Sequence, residues 1–387
     1  MDNIFPNLNI EKTLDNFRNI LVSRKLWRGN GEYTKEFEKR FALMCNKKYG
    51  VGFTNGSHAL EGALNALKAA SIFKEGKNEV IIPSFAFIAV SGAVLNQGFI
   101  PVPVDINPDD YNINTNSVIE ALNNRTCAII AVHFAGVACN LTKLKEIAKE
   151  NHIILIEDAA QAHFATYENK PVGSYGDLSS FSFQAAKTMT SGEGGIVLTN
   201  DNLFRSQLEK YINYGRDPSD SGYNHEFLSS NFRISEFESA ILLPQLENIE
   251  KENNYRKKRF NELKNLINID DLVYQKINEK DICSFSLFPL YNEKWEDEKY
   301  KYNIISKLNS HGYMAKEAYP QLSNTKLLQS AILQGKLDEN KKEYIMSLDK
   351  KCIHASNLIK KLININHSIF YKNNDDIKKF SKILREA

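Results

Sequence analysis

Seven short apolar runs punctuate the first half of the chain: VGFTN (51–55), EVIIPSFAF (79–87), FIPVPVDI (99–106), CAIIAVHF (127–134), HIILIED (152–158), DLSSFSFQ (177–184) and GGIVLTN (194–200). Several are apolar almost without a break, the pattern of strands covered on both faces. Between them the spacing turns helical, as in HALEGALNALKAA (58–70) and TKLKEIAKEN (142–151). Alternation of this kind predicts an α/β fold built on a mostly parallel, seven-stranded open sheet. A first helix over about Ile10 to Arg24 is expected to pack outside it.

The texture changes after about residue 205. SEFESAILLPQLENIEKENNYRKKRFNELKNLI (235–267) reads as one or two long helices with charged outer faces. CSFSLFPLY (283–291) reads as a strand, and 297–310 and 374–386 as amphipathic helices. The expected division is a large domain over residues 1–250, N-terminal helix included, and a smaller α+β domain over 251–387.

Composition narrows the function. The apolar share of 42% and charged share of 25% are those of an ordinary globular protein. With 49 basic against 47 acidic side chains, a net charge of +2 speaks against a nucleic-acid partner. No apolar run approaches a bilayer span, and the stretch MDNIFPNLNIEKTLDNF lacks the pattern of an export signal. Five scattered cysteines without a CxxC motif fit free thiols in a reducing cytoplasm. No membrane partner and a cytoplasmic location are therefore expected.

Three local patterns carry chemistry. In TNGSHAL, the turn Thr54–Ser57 leads from a strand into a helix, and its glycine lets backbone amides approach an anion at the helix N-terminus. In HIILIED, a buried strand ends in Glu157 and Asp158, at the end of the sheet where ligands bind in open α/β folds. The alternative for Asp158 is a cap on the next turn. In FSFQAAKTMTSGEGG, Lys187 lies in a connection between two strands, with Ser182 and Phe183 on one side and Gly192, Gly194 and Gly195 on the other. The glycines permit unusual backbone angles or close approach to a bulky group. An anion cradle, a carboxylate and a lysine with room around it are together what pyridoxal 5′-phosphate requires.

TNGSHAL, PSFAFIA, VHFAG, EDAAQAH, FSFQAAKTMTSGEGG and SNFRISEFESAILLPQL resemble, in order from Trp27 to Leu246, the successive motifs of the DegT/DnrJ/EryC1/StrS family of sugar aminotransferases. The FSFQ-to-GEGG segment and TNGSHAL are similar to the branch that contains 3-amino-5-hydroxybenzoate synthase and the keto-cyclitol aminotransferases. The resemblance implies the aspartate-aminotransferase fold and a homodimer with its active site at the subunit interface. It implies that Lys187 is the Schiff-base lysine and that Asp158 pairs with the pyridinium nitrogen. Gln161 would contact the phenolic oxygen and Phe87 would stack on the ring, unless Phe87 is simple core. Gly56, Ser57 and Ser182 would hold the phosphate, and Asn231 would reach it from the partner subunit, with Arg233 as a rival.

The implied activity is transfer of an amino group from glutamate or glutamine to a keto sugar, nucleotide-linked, by way of pyridoxamine 5′-phosphate. A keto-cyclitol is the alternative acceptor. A pyridoxal-phosphate-dependent sugar dehydratase is a rival that Lys187 argues against, and a non-enzymatic sensor is a third reading. Arg28, Arg216 and Tyr319 are candidate substrate contacts. His133, at a strand end, lines the site or caps the sheet, and His163 packs or hydrogen-bonds. Two departures bear on the substrate: Phe164 stands where the family usually has glycine, and CIHASNLI where relatives often carry a histidine pair.

Overall fold

A computed structural model describes residues 8–69, 76–219 and 222–386. Ala70, the expected end of one helix, and residues 1–7 of the N-terminal stretch lie outside the described residues, as does Ala387.

The seven apolar runs form one sheet: β1 (Tyr49–Phe53), β2 (Glu79–Pro83), β3 (Ile100–Val104), β4 (Thr126–Val132), β5 (Ile154–Asp158), β6 (Leu178–Ser182) and β7 (Gly195–Thr199). Their order across the sheet is β1-β7-β6-β5-β4-β2-β3. β7 runs antiparallel to both its neighbours, and every other pairing is parallel. Two apolar clusters cover the two faces. Ile129, Leu155, Phe181 and Ile196 point to one, and Ala128, Ile130, Ile156 and Val197 to the other. This two-sided burial is why the strands read as continuous apolar runs.

A smaller antiparallel sheet follows: β8 (Val273–Tyr274), β9 (Leu287–Tyr291), β10 (Ala315–Glu317) and β11 (Leu362–Asn366), in the order β8-β9-β11-β10. The helices Ile249–Ile267, Glu298–Ser310 and Asn374–Glu386 pack over its Ile363/Ile365 face. The expected boundary at residues 250 and 251 falls in the first turn of the Ile249–Ile267 helix. That helix buries Ile249 in the large core and Leu263 and Ile267 in the small one.

Several expectations shift. The first helix spans Ile10–Ser23, and Arg24 ends it in the left-handed region. It packs on the Glu236–Leu246 helix, where Asn16 donates to the Ala240 carbonyl at 3.1 Å and Phe17 meets Phe237 edge-on. β2 stops at Pro83, so SFAF becomes a loop. Of 283–291 only 287–291 is strand, because Phe285 takes φ 53° and the Ser284 and Ser286 amides bond to the carbonyls of Gly136 and Ala135. Residues 235–267 form two helices, the first opened by a Ser235/Glu238 capping box. Their charges are not all on outer faces: Glu236 and Arg256 are fully buried.

Candidate active site

The ends of β1, β5 and β6 converge on one place. β1 turns at Thr54 into the Gly56–Leu67 helix, whose N-cap Asn55 accepts from the His58 amide at 2.8 Å. The Gly56 and Ser57 amides open this helix and have no intrahelical acceptor. β6 brings Ser182 against the same turn. A Cβ on Gly56 would lie 2.8 Å from Ser182 Oγ, and a Cβ on Gly195 would lie 2.5 Å from the Asn55 carbonyl oxygen. Two glycines thus let three backbone segments close around a hydroxyl and two free amides, at the positive end of a helix dipole.

Lys187 lies in the β6–β7 connection, half-buried, its amide donating to the Gln184 carbonyl at 2.9 Å. Among the described residues its amine has neither a hydrogen bond nor an ion pair. Burial pushes the Lys187 pKa below the ordinary lysine value, against the opposing attraction of Asp158. The connection is held at both ends. Thr190 exchanges two bonds with the Gln245 side chain, at 3.1 and 2.8 Å. His367 donates from Nε2 to the Ala186 carbonyl at 3.2 Å. Gly192 and Gly194 take φ values of 89° and 139°, which glycine adopts without strain.

Asp158 ends β5 in the middle of the sheet, half-buried. Burial raises its pKa, while a 3.1 Å bond from the Ala160 amide and the charge of Lys187 oppose the rise. No helix follows it, so the carboxylate caps only a turn. Beside it, Gln161 accepts from the Ala135 amide at 2.7 Å and donates to Tyr319 Oη at 3.2 Å. Tyr319 packs among Phe85, Phe87 and Phe134, with ring centroids 6.0, 5.5 and 6.1 Å away. Phe87 is 54% exposed and therefore not core. Its loop position leaves a ring face open beside Tyr319.

Other expected contacts sit elsewhere. His133 is fully buried. Its Nδ1 accepts from the Cys139 amide at 3.1 Å and its Nε2 donates to Glu157 at 3.2 Å. It braces the sheet and does not line the site. Burial would raise the pKa of Glu157, but His133 and the amides of Gly173, Tyr175 and Gly176 hold it low. Arg28 is clamped between Glu38 and Glu209, at 2.8 and 2.7 Å, so both edges of its guanidinium are engaged. Arg216 lies on the surface loop, its guanidinium over Tyr223. Asn231 is exposed. Arg233 donates to Asn213 at 2.8 Å and lies between Trp27 and Tyr214.

Phe164 takes φ 60°. The family's usual glycine meets that backbone need without the cost a Cβ brings. His354 and Ala355, in the other departing motif, bind Asp105 through their amides at 3.0 and 2.9 Å.

Sequence reading missed Asn253, Arg256 and His367. Asn253 donates to the carbonyls of His163 and Phe164 at 3.3 and 3.2 Å. Arg256 donates to the Ser284 carbonyl and to Tyr371. The available signal was the spacing Ile249, Asn253, Arg256, Leu263 and Ile267, which places the two polar residues on the buried stripe of the helix.

Fold and site together define an α/β protein that presents a helix N-terminus, a lysine and a carboxylate at one end of its main sheet. The chain belongs to the DegT/DnrJ/EryC1/StrS aminotransferase family, whose profile matches residues 8–347. It is 34% identical to 3-amino-5-hydroxybenzoate synthase of Amycolatopsis mediterranei over 64% of each chain. A solved 3-amino-5-hydroxybenzoic acid synthase superposes with a TM-score of 0.88 at 26% identity, covering 100% of this chain and 99% of that one. GDP-perosamine synthase of Caulobacter vibrioides is 36% identical over 57% of this chain and 58% of its own. L-glutamine:2-deoxy-scyllo-inosose aminotransferase of Micromonospora echinospora is 34% identical over 63% and 60%. The sequence matches thus span less than two thirds of each relative's length. The family's cofactor, pyridoxal 5′-phosphate, fits the residues present. Gly56, Ser57 and Ser182 form a cradle that a Cβ would fill, and among the described residues Asp158 makes no ion pair and the amine of Lys187 no hydrogen bond.

Proposed function

We propose that the chain is a pyridoxal-phosphate-dependent aminotransferase that moves an amino group from glutamate or glutamine to a nucleotide-linked keto sugar. The observation that carries this reading is the convergence of the Gly56–Ser182–Gly195 cradle with an unengaged Lys187 facing Asp158. Bound pyridoxal 5′-phosphate supplies an aldehyde that captures amines and a ring that withdraws electrons from the captured carbon. Gly56, Ser57 and Ser182 would hold its phosphate, Asp158 would keep its ring nitrogen protonated, and Gln161 and Phe87 would contact its phenolic oxygen and ring. The amine of Lys187 would act as the general base and acid that moves the Cα proton of the amino donor. Burial favours the neutral amine this needs.

A keto-cyclitol acceptor is the second reading, favoured by likeness to the scyllo-inosose aminotransferase. We place the working form as a homodimer, with exposed Asn231 reaching the partner's phosphate site, and its location as the cytoplasm. Five buried free thiols accord with that location.

The test is reductive trapping. Borohydride treatment of the cofactor-loaded protein, followed by peptide mapping, is expected to leave the pyridoxyl group on Lys187. Lys187→Ala is expected to abolish both trapping and transamination with keto sugars. Retained turnover in that variant refutes the assignment.

A further inference from the structure

The strand β11, LININ, alternates in an unusual way. Ile363 and Ile365 enter the small-domain core, while Leu362 packs on the other face with Phe85, Phe134, Tyr291 and Tyr319. Alternation puts Asn364 on that same face, the one turned towards Tyr319 and Gln161. The side chain is 4% exposed, and neither its amide nitrogen nor its amide oxygen has a hydrogen-bond partner among the described residues. Its cross-strand neighbours do not supply one: Pro289 has no polar side-chain group, and Lys316 is exposed. Three residues further on, the same segment reaches the Ala186 carbonyl through His367, one position before Lys187.

A buried amide without partners is costly, and a leucine there would not carry that cost. We propose that Asn364 is a specificity-determining residue that hydrogen-bonds hydroxyl groups of the keto acceptor; this rests on the aminotransferase reading above. A carboxamide offers two donors and one acceptor and carries no charge. That matches adjacent ring hydroxyls, each of which both donates and accepts. Removal of such a partner from a buried polar group is what separates hydroxylated from deoxygenated substrates.

The experiment uses the cofactor-loaded full chain and follows the two half-reactions separately by absorbance, with glutamate or glutamine as donor and with whichever keto sugar or keto-cyclitol the wild type accepts. Asn364→Leu is expected to leave the donor half-reaction at the wild-type rate and to lower kcat/KM of the acceptor half-reaction about tenfold or more. Its Tm without substrate is expected to rise. Asn364→Ala, which keeps the site uncrowded, is expected to show the same split between half-reactions. Unchanged acceptor kinetics with a raised Tm would mean the amide is only an unsatisfied core group, and overturns the inference. An equal loss in both half-reactions overturns it as well. A wild type that reacts with no amino donor refutes the aminotransferase reading instead, and this inference with it.

Discussion

His367 donates from Nε2 to the carbonyl of Ala186 at 3.2 Å, tying the last strand of the small sheet to the residue before Lys187. His163, from the segment after β5, lies close to the same lysine, its ring against Phe181 and Phe183. Both imidazoles are fully buried, and both are kept neutral.

That neutrality makes stability depend on pH. An unfolded histidine takes up its proton below about pH 6.5. Burial, aided by nearby Lys187 for His163 and nearby Arg256 for His367, pushes both pKa values down to about 3. The unfolded chain therefore binds more protons than the folded one between these limits. Stability present above pH 6.5 drains as pH falls towards 3, by up to about 1.4 kcal/mol per pH unit for each ring. Urea midpoints measured from pH 7 to pH 4 are expected to fall, and His163→Phe is expected to flatten the slope by the share of one buried imidazole. An unchanged slope in that variant would assign the acid sensitivity to other groups.

Gly56 and Ser182 give a second prediction, on the cradle. Gly56→Ala drives a Cβ into the Ser182 side chain. It is expected to cost about 1–3 kcal/mol of stability as overpacking and to weaken pyridoxal 5′-phosphate binding more than tenfold. Ser182→Gly in the same chain removes the two nearest struck atoms, Cβ and Oγ. It is expected to restore the denaturation midpoint but not the affinity, because it also deletes the phosphate-facing hydroxyl. Denaturation of the unloaded chain and cofactor titration separate the two effects. Recovery of both together would mean that Ser182 contributes nothing to the phosphate site.

The strands, the lysine and the carboxylate were legible because each is written locally. Continuous apolar runs report two-sided burial, and FSFQAAKTMTSGEGG sets a lysine between a strand and three glycines within fifteen residues. What was not legible depends on which side of an element meets another part of the chain. Arg256 sits in the run RKKR, where only its helical spacing from Ile249 and Asn253 sets it apart from exposed Lys257 and Lys258; its packing against Ser284 and Tyr371 involves residues far away in the chain. Arg28 reads as a candidate substrate contact in the sequence because its acids, Glu38 and Glu209, are 10 and 181 residues away. The helices Leu327–Leu333, Glu339–Asp349 and Ile353–Lys361 went unread because each is short, from 7 to 11 residues, and carries only a brief apolar stripe. Phe164 is different: its motif marked the position as unusual, and the backbone φ of 60° gives the physical reason.

The choice between Asn231 and Arg233 for the proposed contact to a partner's phosphate site follows from what each side chain already does. Arg233 is spent within its own chain, on Asn213, Trp27 and Tyr214. Asn231 uses only its oxygen, accepting from the Arg233 amide at 3.3 Å, and its amide nitrogen faces outward without a partner among the described residues. Arg233→Ala is therefore expected to lower stability by about 1 kcal/mol, through the lost hydrogen bond and stacking, with cofactor affinity nearly unchanged. Asn231→Asp, which sets a negative charge against a phosphate, is expected to abolish activity while leaving the fold intact. Subunit mixing decides whether the contact crosses the interface. In a homodimer co-expressed from Lys187→Ala and Asn231→Asp chains, a mixed dimer has one site with both defects and one with neither. Random pairing then returns about a quarter of wild-type activity. If Asn231 served the phosphate of its own chain, every site would carry a defect, and the mixture would be as inactive as its parents.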